Sequence, residues 1–347
     1  MKNIKSVDFS KLICAALVVS IHVPPFLSCS AVLDFYWTQV IARIAVPFFY
    51  AASGYFLFRG MRVAGGKIQR TVENRRRVLH TWKRVVILYL VWSGVYLFWQ
   101  IPYWQSIGWV GIQAGKDYIL SLVLHGSYYH FWYFVCFIYA VPVLYFLLRH
   151  VGMRVTAVIA VALYGIKCLV YSYAWLPVPG LQTVAAFYTQ VDGLTDAVCL
   201  ALPFLMVGVV CAHGWDERRL TARKRNVGLC ISAALLVAEA STLYFAGLAE
   251  QYSYIFFTLP LCFFLFSAVR HWNLSGHEAL FYYSRKTSTV VYCVHPLLLN
   301  VWSCAPCFAG WNSFAQYGTI LASSLLFSIL LLCLQRLRGF GWLRVFR

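Results

Sequence analysis

The chain alternates between long apolar runs and short polar or basic connections. Ten of these runs have about 17–22 residues, the length that an α-helix needs to cross a lipid bilayer. We therefore predict an all-α, polytopic membrane protein that forms a single transmembrane domain over residues 1–347. The ten predicted helices are roughly residues 7–25, 40–58, 84–101, 130–148, 155–174, 194–212, 227–245, 253–269, 286–303 and 314–335.

Composition supports the membrane assignment. The chain is 61% hydrophobic and only 12% charged, whereas soluble domains contain about 25% charged residues. The formal net charge of +18 would suggest nucleic acid in a soluble protein. In a membrane protein it indicates basic cytoplasmic loops, so we expect the lipid bilayer, and no nucleic acid, among the partners.

The positions of the basic residues predict the orientation. With ten helices, 25 of the 29 Lys and Arg fall on one side, and only Lys116 falls on the other. The positive-inside rule then places both termini in the cytoplasm. Nine of these residues lie in the segment 59–84, which we predict to be amphipathic and cytoplasmic. Two interpretations stay open for it: an anchor on anionic headgroups, or a binding surface for a phosphorylated ligand.

The first two predicted helices contain Lys11, His22 and Arg43, which are ionisable. Such residues usually face a protein interior or a water-filled cavity, because charge in lipid is costly. His22 follows Lys11 by eleven positions, so both project from one helix face, about 16 Å apart along the axis. A ligand lying along that face could contact both. The alternative is that Asp8 caps the helix and pairs with Lys11.

Further polar residues are predicted in the outer half of the membrane. They are His130, Lys167, Asp192, Asp196, Glu239 and His295. Lys167 and Glu239 could also form a buried ion pair, and His295 could be a structural histidine. Of the twelve cysteines, most are expected to pack as small hydrophobes. Only Cys304 and Cys307 have a motif-like spacing, which allows a disulfide, and we expect no metal site.

These residues belong to motifs of a known family. They are Lys11-x(10)-His22, Arg43-Ile-Ala-Val-Pro-Phe-Phe-Tyr-Ala-Ala-Ser53-Gly54, Tyr129-His130-Phe-Trp132, and the stretch from Ser288 to Pro296 that includes Tyr292-Cys-Val-His295. Over nearly its whole length the chain resembles the acyltransferase-3 family of bacterial membrane proteins. Within that family it looks most similar to the membrane half of VanT-type serine racemases. The sequence stops where their pyridoxal-phosphate racemase domain would begin, so racemase activity is not carried over.

The resemblance implies O-acyl transfer, usually of acetyl, at the bacterial inner membrane. The donor would be cytoplasmic acyl-CoA, and the acceptor a cell-envelope polysaccharide or lipid-linked sugar. His22 would be the general base or a transient acyl carrier, Arg43 would stabilise the oxyanion, and Lys11 would assist. The family's Arg-x-x-Arg motif for CoA has an imperfect counterpart here. We expect the CoA phosphates to contact Lys11, Arg76, Arg77, Lys83 and Arg84.

We predict that the acceptor contacts residues of several helices: Ser53, His130, Trp132, Asp192, Glu239 and His295. The rival function is a transporter of a small polar solute such as serine, since intramembrane charges also line solute pathways. A VanT-like membrane module that partners a separate racemase, or a subunit without chemistry, is a further alternative. The sequence shows no matched pair of broken helices of the kind found in inverted-repeat transporters.

Overall fold

The structure is a computed structural model. It describes residues 4–190, 192–248, 252, 254–276 and 278–347, and of residue 192 only the backbone. Within these ranges the regular elements are helices, apart from one short hairpin, which confirms the all-α prediction. Seven helices there are long and apolar enough to cross a membrane: Ala31–Phe58, Val72–Ser106, Trp132–His150, Met153–Tyr171, Gly193–Ala212, Ala222–Phe245 and Ser313–Leu334.

The α-helices are numbered in chain order. The first eight are α1 (Lys5–His22), α2 (Ala31–Phe35), α3 (Ala45–Phe58), α4 (Val72–Ser106), α5 (Gly111–Leu124), α6 (Trp132–His150), α7 (Met153–Tyr171) and α8 (Leu181–Gln190). The others are α9 (Asp192–Asp196), α10 (Leu202–Ala212), α11 (Trp215–Arg219), α12 (Ala222–Phe245), α13 (Thr258–His271), α14 (Glu278–Ser303) and α15 (Ser313–Leu334). Short π or 3-10 turns join α2 to α3 and α9 to α10, and further 3-10 turns lie at Phe308–Gly310 and Gly341–Phe346.

The remaining three predicted spans are also helical, as α1, α13 and α14. However, α13 has only 14 residues, and α1 and α14 contain several charged residues. The number of ten spans and the cytoplasmic termini therefore stay predictions. Two helices, α5 and α8, lie in predicted outer connections. A search for apolar runs misses α5 because Lys116 and Asp117 interrupt its sequence.

The basic segment 59–84 is a hairpin followed by the start of a long helix. Strand β1 (Val63–Ala64) pairs antiparallel with β2 (Lys67–Ile68). The two glycines between the strands both have positive φ, as a type I′ turn requires. The Thr71 side chain caps α4 by accepting from the Asn74 backbone N–H. Because α4 continues for 35 residues, its basic first turns and the following apolar span form one continuous helix.

Two helices cross with their backbones in contact at the centre of the bundle. A Cβ atom added at Gly54 in α3 would lie 2.2 Å from the Leu205 carbonyl oxygen of α10. One added at Gly208 would lie 2.1 Å from the Ala51 carbonyl oxygen. Glycine thus permits this close approach, which no other residue allows without movement. Helix α1 packs against α3 and α14 beside this crossing, and α6 packs against α4.

Candidate functional site

A large basic cavity opens between α1, α3, α4, α6 and α14. Its volume is about 910 Å³. Six Lys and Arg side chains line it, together with His80: Lys11, Arg76, Arg77, Arg84, Arg285 and Arg347. No Asp or Glu occurs among its described lining residues. A cavity with this charge attracts a polyanion such as a phosphorylated nucleotide, and we call it the inner cavity.

A smaller cavity of about 320 Å³ lies between the predicted outer parts of α1, α3, α6 and α14, and residues of α9 also line it. We call it the outer cavity. Its polar lining comes from seven residues: His22, Arg43, His125, His130, Asp196, Tyr254 and Tyr292. Trp132 adds an aromatic wall. The cavity therefore joins an imidazole and a guanidinium at a site that can hold a small polar molecule.

The two cavities follow one another along each helix that lines both. On α1, Lys11 faces the inner cavity and His22 the outer one; on α14, Arg285 lines the inner cavity and Tyr292 lines both. The same order holds on α3. Arg43 lies just before this helix and Pro47 lies in its first turn, both at the outer cavity, whereas Ser53 lies further along the helix at the inner cavity. It also holds on α6, from Trp132 to Tyr133. Four helices thus define one path from the basic end to His22.

His22 lies at the end of α1, which stops before Pro24 and Pro25. Proline disfavours helix for the residue before it, so the sequence ends α1 here. The His22 ring stacks on His295 with centroids 5.3 Å apart and contacts Tyr129 at 4.9 Å. At a helix C-terminus the negative end of the helix dipole stabilises a protonated imidazole.

His130 and His295 complete a cluster of three imidazoles. Their ring centroids are 5.5 Å apart, and they are 1% and 0% exposed. His295 Nδ1 contacts the Val291 carbonyl oxygen at 3.1 Å. Both ring nitrogens of His130, and Nε2 of His295, have no hydrogen-bond partner in the described part of the chain. Buried nitrogens of this kind need a partner, which a bound substrate can provide.

Arg43 is aimed into the outer cavity by irregular helix geometry. A π-helical turn at Tyr36–Ile41 is followed by a 3-10 turn at Ala42–Ile44, and π turns are frequent at functional sites. The Gln39 amide oxygen accepts from Arg43 Nε at 3.0 Å and from a terminal nitrogen at 2.7 Å. A neutral amide fixes the guanidinium without neutralising it, so its charge stays available to a ligand.

Lys11 lies over the Phe56 ring, with its Nζ 4.8 Å from the ring centroid. Asp8 does not cap α1, because the helix begins earlier, at Lys5, and its N-cap residue is Ile4. The carboxylate of Asp8 instead lies 3.7 Å from Arg285 of α14. The capping alternative for Asp8 is therefore wrong.

The predicted pairing of Lys167 with Glu239 is also wrong. Lys167 Nζ lies 2.7 Å from an Asp196 carboxylate oxygen, and its side chain is fully buried. Glu239 accepts from the Tyr173 hydroxyl at 2.5 Å and from the backbone N–H groups of Phe256 and Phe257 at 2.7 and 2.9 Å. It therefore fixes the start of α13, outside the described linings of both cavities.

The other predicted site residues distribute as follows. His130 and Trp132 line the outer cavity, and His295 packs against its imidazoles, whereas Ser53 lines the inner cavity. Lys83 is exposed and outside the inner-cavity lining. The Asp192 side chain lies outside the described residues. Cys304 and Cys307 are both free thiols, and no group of three metal-ligating residues occurs in the described ranges.

Several lining residues were not predicted as site residues. Arg285 and Arg347 were counted only as cytoplasmic charges, and Asp196 only as a polar residue at a helix start. His125 lies in a connection between predicted spans, and Tyr254 lies at the start of the predicted span 253–269; neither was predicted to face a site. Helix packing alone brings them to the site.

Comparisons with known proteins identify the family. Residues 4–333 match the family model of the acyltransferase domain Acyl_transf_3. A serine/alanine racemase of Enterococcus gallinarum is 28% identical over 338 residues, which are 96% of this chain and 45% of that protein. An amino-acid racemase of Enterococcus faecalis is 26% identical over 337 residues, 94% of this chain and 44% of that protein.

The chain thus spans less than half the length of these relatives. No solved structure matches it significantly. The family match covers nearly the whole chain, and it includes every helix that lines the two cavities. The chain therefore belongs to the acyltransferase-3 family of membrane proteins.

Proposed function

We propose that the protein is a membrane O-acyltransferase that moves an acyl group, most simply acetyl, from cytoplasmic acyl-CoA to a hydroxyl of a cell-envelope carbohydrate. One observation carries the proposal: the basic inner cavity and the imidazole-lined outer cavity follow one another along four helices. This order matches a donor whose phosphates bind at one end and whose thioester lies near His22.

The inner cavity fits the donor. The guanidinium groups of Arg76, Arg77, Arg84 and Arg285 would hold the CoA phosphates, since arginine binds phosphate with paired hydrogen bonds. The pantetheine arm would pass Ser53 along the face of α1 towards His22. Between Lys11 and His22 this face has a length of about 16 Å, which suits a long, thin chain better than a compact substrate.

The outer cavity fits the reaction. His22 removes the proton of the acceptor hydroxyl, and the hydroxyl oxygen attacks the thioester carbonyl. Arg43 stabilises the resulting oxyanion. When the intermediate collapses, the C–S bond breaks, and the CoA thiolate takes the proton from His22. In a two-step variant, His22 itself carries the acyl group before the acceptor attacks.

The test uses purified protein in proteoliposomes with radiolabelled acetyl-CoA. The acceptors to be tested are chosen according to the functions of the neighbouring genes. His22→Ala should lose acyl transfer by at least about 100-fold, the size of a general-base contribution. The matched control is His150→Ala, because His150 is an exposed histidine at the end of α6. Undiminished transfer by His22→Ala would contradict the mechanism.

A second candidate is a membrane module that moves an amino acid such as serine, with a separate racemase as partner. The names of the relatives favour it, since they are serine/alanine and amino-acid racemases. Counterflow of labelled serine in the same proteoliposomes, without any consumption of acyl-CoA, would support this function. Acyl transfer that depends on His22 would exclude it as the main activity.

A further inference from the structure

We infer that the Tyr292 side chain is the partition between the inner and outer cavities and keeps the two substrates apart until the acyl group is transferred. Tyr292 lines both cavities, and no other residue does so among their described linings. The chemical part of this inference rests on the proposed function. The partition itself rests on geometry alone.

The Tyr292 ring is enclosed by rings from both sides. Towards the inner cavity its centroid lies 5.5 Å from that of Tyr133 and 5.7 Å from that of Phe134. Towards the outer cavity it lies 5.5 Å from the ring of His130. The residue is only 6% exposed, although it borders two cavities. The ring is therefore packed at the place where the two cavities meet.

Among the described residues, one hydrogen bond from the Tyr292 hydroxyl holds the ring between the two cavities. The Tyr292 hydroxyl donates to the backbone carbonyl of His130, which begins the wall of the outer cavity. The ring can therefore turn aside when this one bond breaks, whereas aromatic contacts can re-form in a new position. Passage of a thioester arm requires such a movement.

The backbone that carries Tyr292 is weakened at the same place. Pro296 lies inside α14 and has no N–H, so the Tyr292 carbonyl lacks its usual helical partner. In the next position the Tyr96 hydroxyl enters the helix, accepting from the Leu297 N–H at 3.0 Å and donating to the Cys293 carbonyl at 2.8 Å. Side chains inserted into the hydrogen-bond ladder mark sites where helices bend.

Tyr96 also links the partition to the donor site. It belongs to α4, the same continuous helix whose first turns carry Arg76, Arg77 and Arg84. The residues of α4 that line the donor site and the Tyr96 hydroxyl, which contacts α14 next to Tyr292, thus lie on one continuous helix. The partition keeps water of the outer cavity from hydrolysing the bound thioester.

The test measures whether the cavities are connected, without any need for activity. Ser53→Cys places a thiol in the inner cavity, in a background with the five exposed cysteines replaced by Ser: Cys29, Cys230, Cys304, Cys307 and Cys333. A membrane-impermeant maleimide is added either to spheroplasts or to inverted vesicles. The background without Ser53→Cys measures labelling of the remaining cysteines.

With Tyr292 intact, the thiol should react from one side of the membrane only. Tyr292→Ala should make it react from the opposite side as well, at least about tenfold faster than with Tyr292 intact, as expected when a local barrier to opening is removed. The matched control is Phe137→Ala, which removes a ring from the inner cavity alone. It should leave the sidedness unchanged.

Labelling from both sides with Tyr292 intact, or equal labelling of Tyr292→Ala and Phe137→Ala, would overturn the partition. If Tyr292→Ala does not fold, Tyr292→Leu replaces it. A second readout is acyl-CoA hydrolysis without acceptor, which should rise several-fold in the same variant. Side-dependent labelling in a protein that never consumes acyl-CoA would retain the partition and refute the proposed function.

Discussion

The imidazole of His22 stacks on that of His295, with ring centroids 5.3 Å apart and planes inclined by 29°. The two residues come from opposite ends of the sequence, on α1 and α14. The Val291 carbonyl near His295 Nδ1 can only accept a hydrogen bond. Nδ1 therefore carries a proton in this arrangement, which fixes the ring and leaves Nε2 to face the cluster. His295 is thus placed to orient His22.

We expect His295→Phe to lower kcat by up to about 100-fold, because a small misplacement of a catalytic group costs this much. The substitution keeps a flat ring against His22 but removes the bond to Val291. The KM for acyl-CoA should not change, since His295 lies outside the described lining of the inner cavity. Steady-state kinetics with His150→Phe as control would show this. An unchanged kcat would leave His295 a packing residue.

Arg285→Gln should raise the KM for acyl-CoA about tenfold with little change in kcat, since a hydrogen bond to a charged group contributes about 1.5–3 kcal/mol. Arg285 lines the inner cavity from α14. Lys83→Gln is the control, because Lys83 is an exposed cation outside that lining. Titration of acyl-CoA at two salt concentrations checks the charge effect. Equal effects of the two substitutions would argue against a specific donor site.

Asp196→Asn should destabilise the protein by about 3 kcal/mol or more, because it breaks the buried ion pair between Asp196 and Lys167. Lys167 Nζ lies 2.7 Å from Asp196 Oδ1. Glu73→Gln, which breaks the exposed pair with Arg62 at 3.6 Å, should change stability by less than about 1 kcal/mol. Thermal unfolding in detergent compares the two. A stable Asp196→Asn protein with weakened acceptor binding would instead assign Asp196 to the substrate.

Gly54→Ala should lower the midpoint of thermal unfolding, since its Cβ would lie 2.2 Å from the Leu205 carbonyl oxygen. Overpacking of this kind typically costs about 1–3 kcal/mol. Gly318→Ala in α15 is the control, because nothing lies within 4 Å of its added Cβ. It should be neutral or stabilising, as alanine favours helix over glycine by about 1 kcal/mol. Similar midpoints for both variants would show that α3 and α10 can separate freely.

Glu239→Ala should destabilise the fold by about 1–3 kcal/mol, because two half-buried backbone N–H groups just before α13, those of Phe256 and Phe257, lose their acceptor. At temperatures where the variant stays folded, kcat and both KM values should match those of the unsubstituted protein. Thermal unfolding and steady-state kinetics together distinguish a structural role of Glu239 at the start of α13 from a contact with the acceptor. A raised acceptor KM without loss of stability would restore its predicted contact with substrate.

The sequence by itself determined the fold class and singled out several residues that line the two cavities. In a bilayer, a long apolar run needs a helix to provide hydrogen-bond partners for its own backbone N–H and C=O groups. The positions of the ten predicted helices therefore agree with observed ones. Lys11, His22 and Arg43 stood out because charge inside an apolar run is costly. The helical period placed Lys11 and His22 on one face, and in the structure Lys11 lines the inner cavity and His22 lines the outer one.

Only the tertiary structure decided which helices meet. Lys167 lies with Asp196 rather than Glu239, because partner choice depends on helix packing and not on depth in the membrane. Amphipathic helices such as α5 contain no long apolar run, so the search for apolar runs did not predict them. The shared position of Tyr292 between two cavities likewise depends on side chains from α3, α6 and α14, which sequence spacing cannot relate. The helical period determines which side chains lie on each face of a helix. Packing between helices determines which side chains of other helices that face contacts.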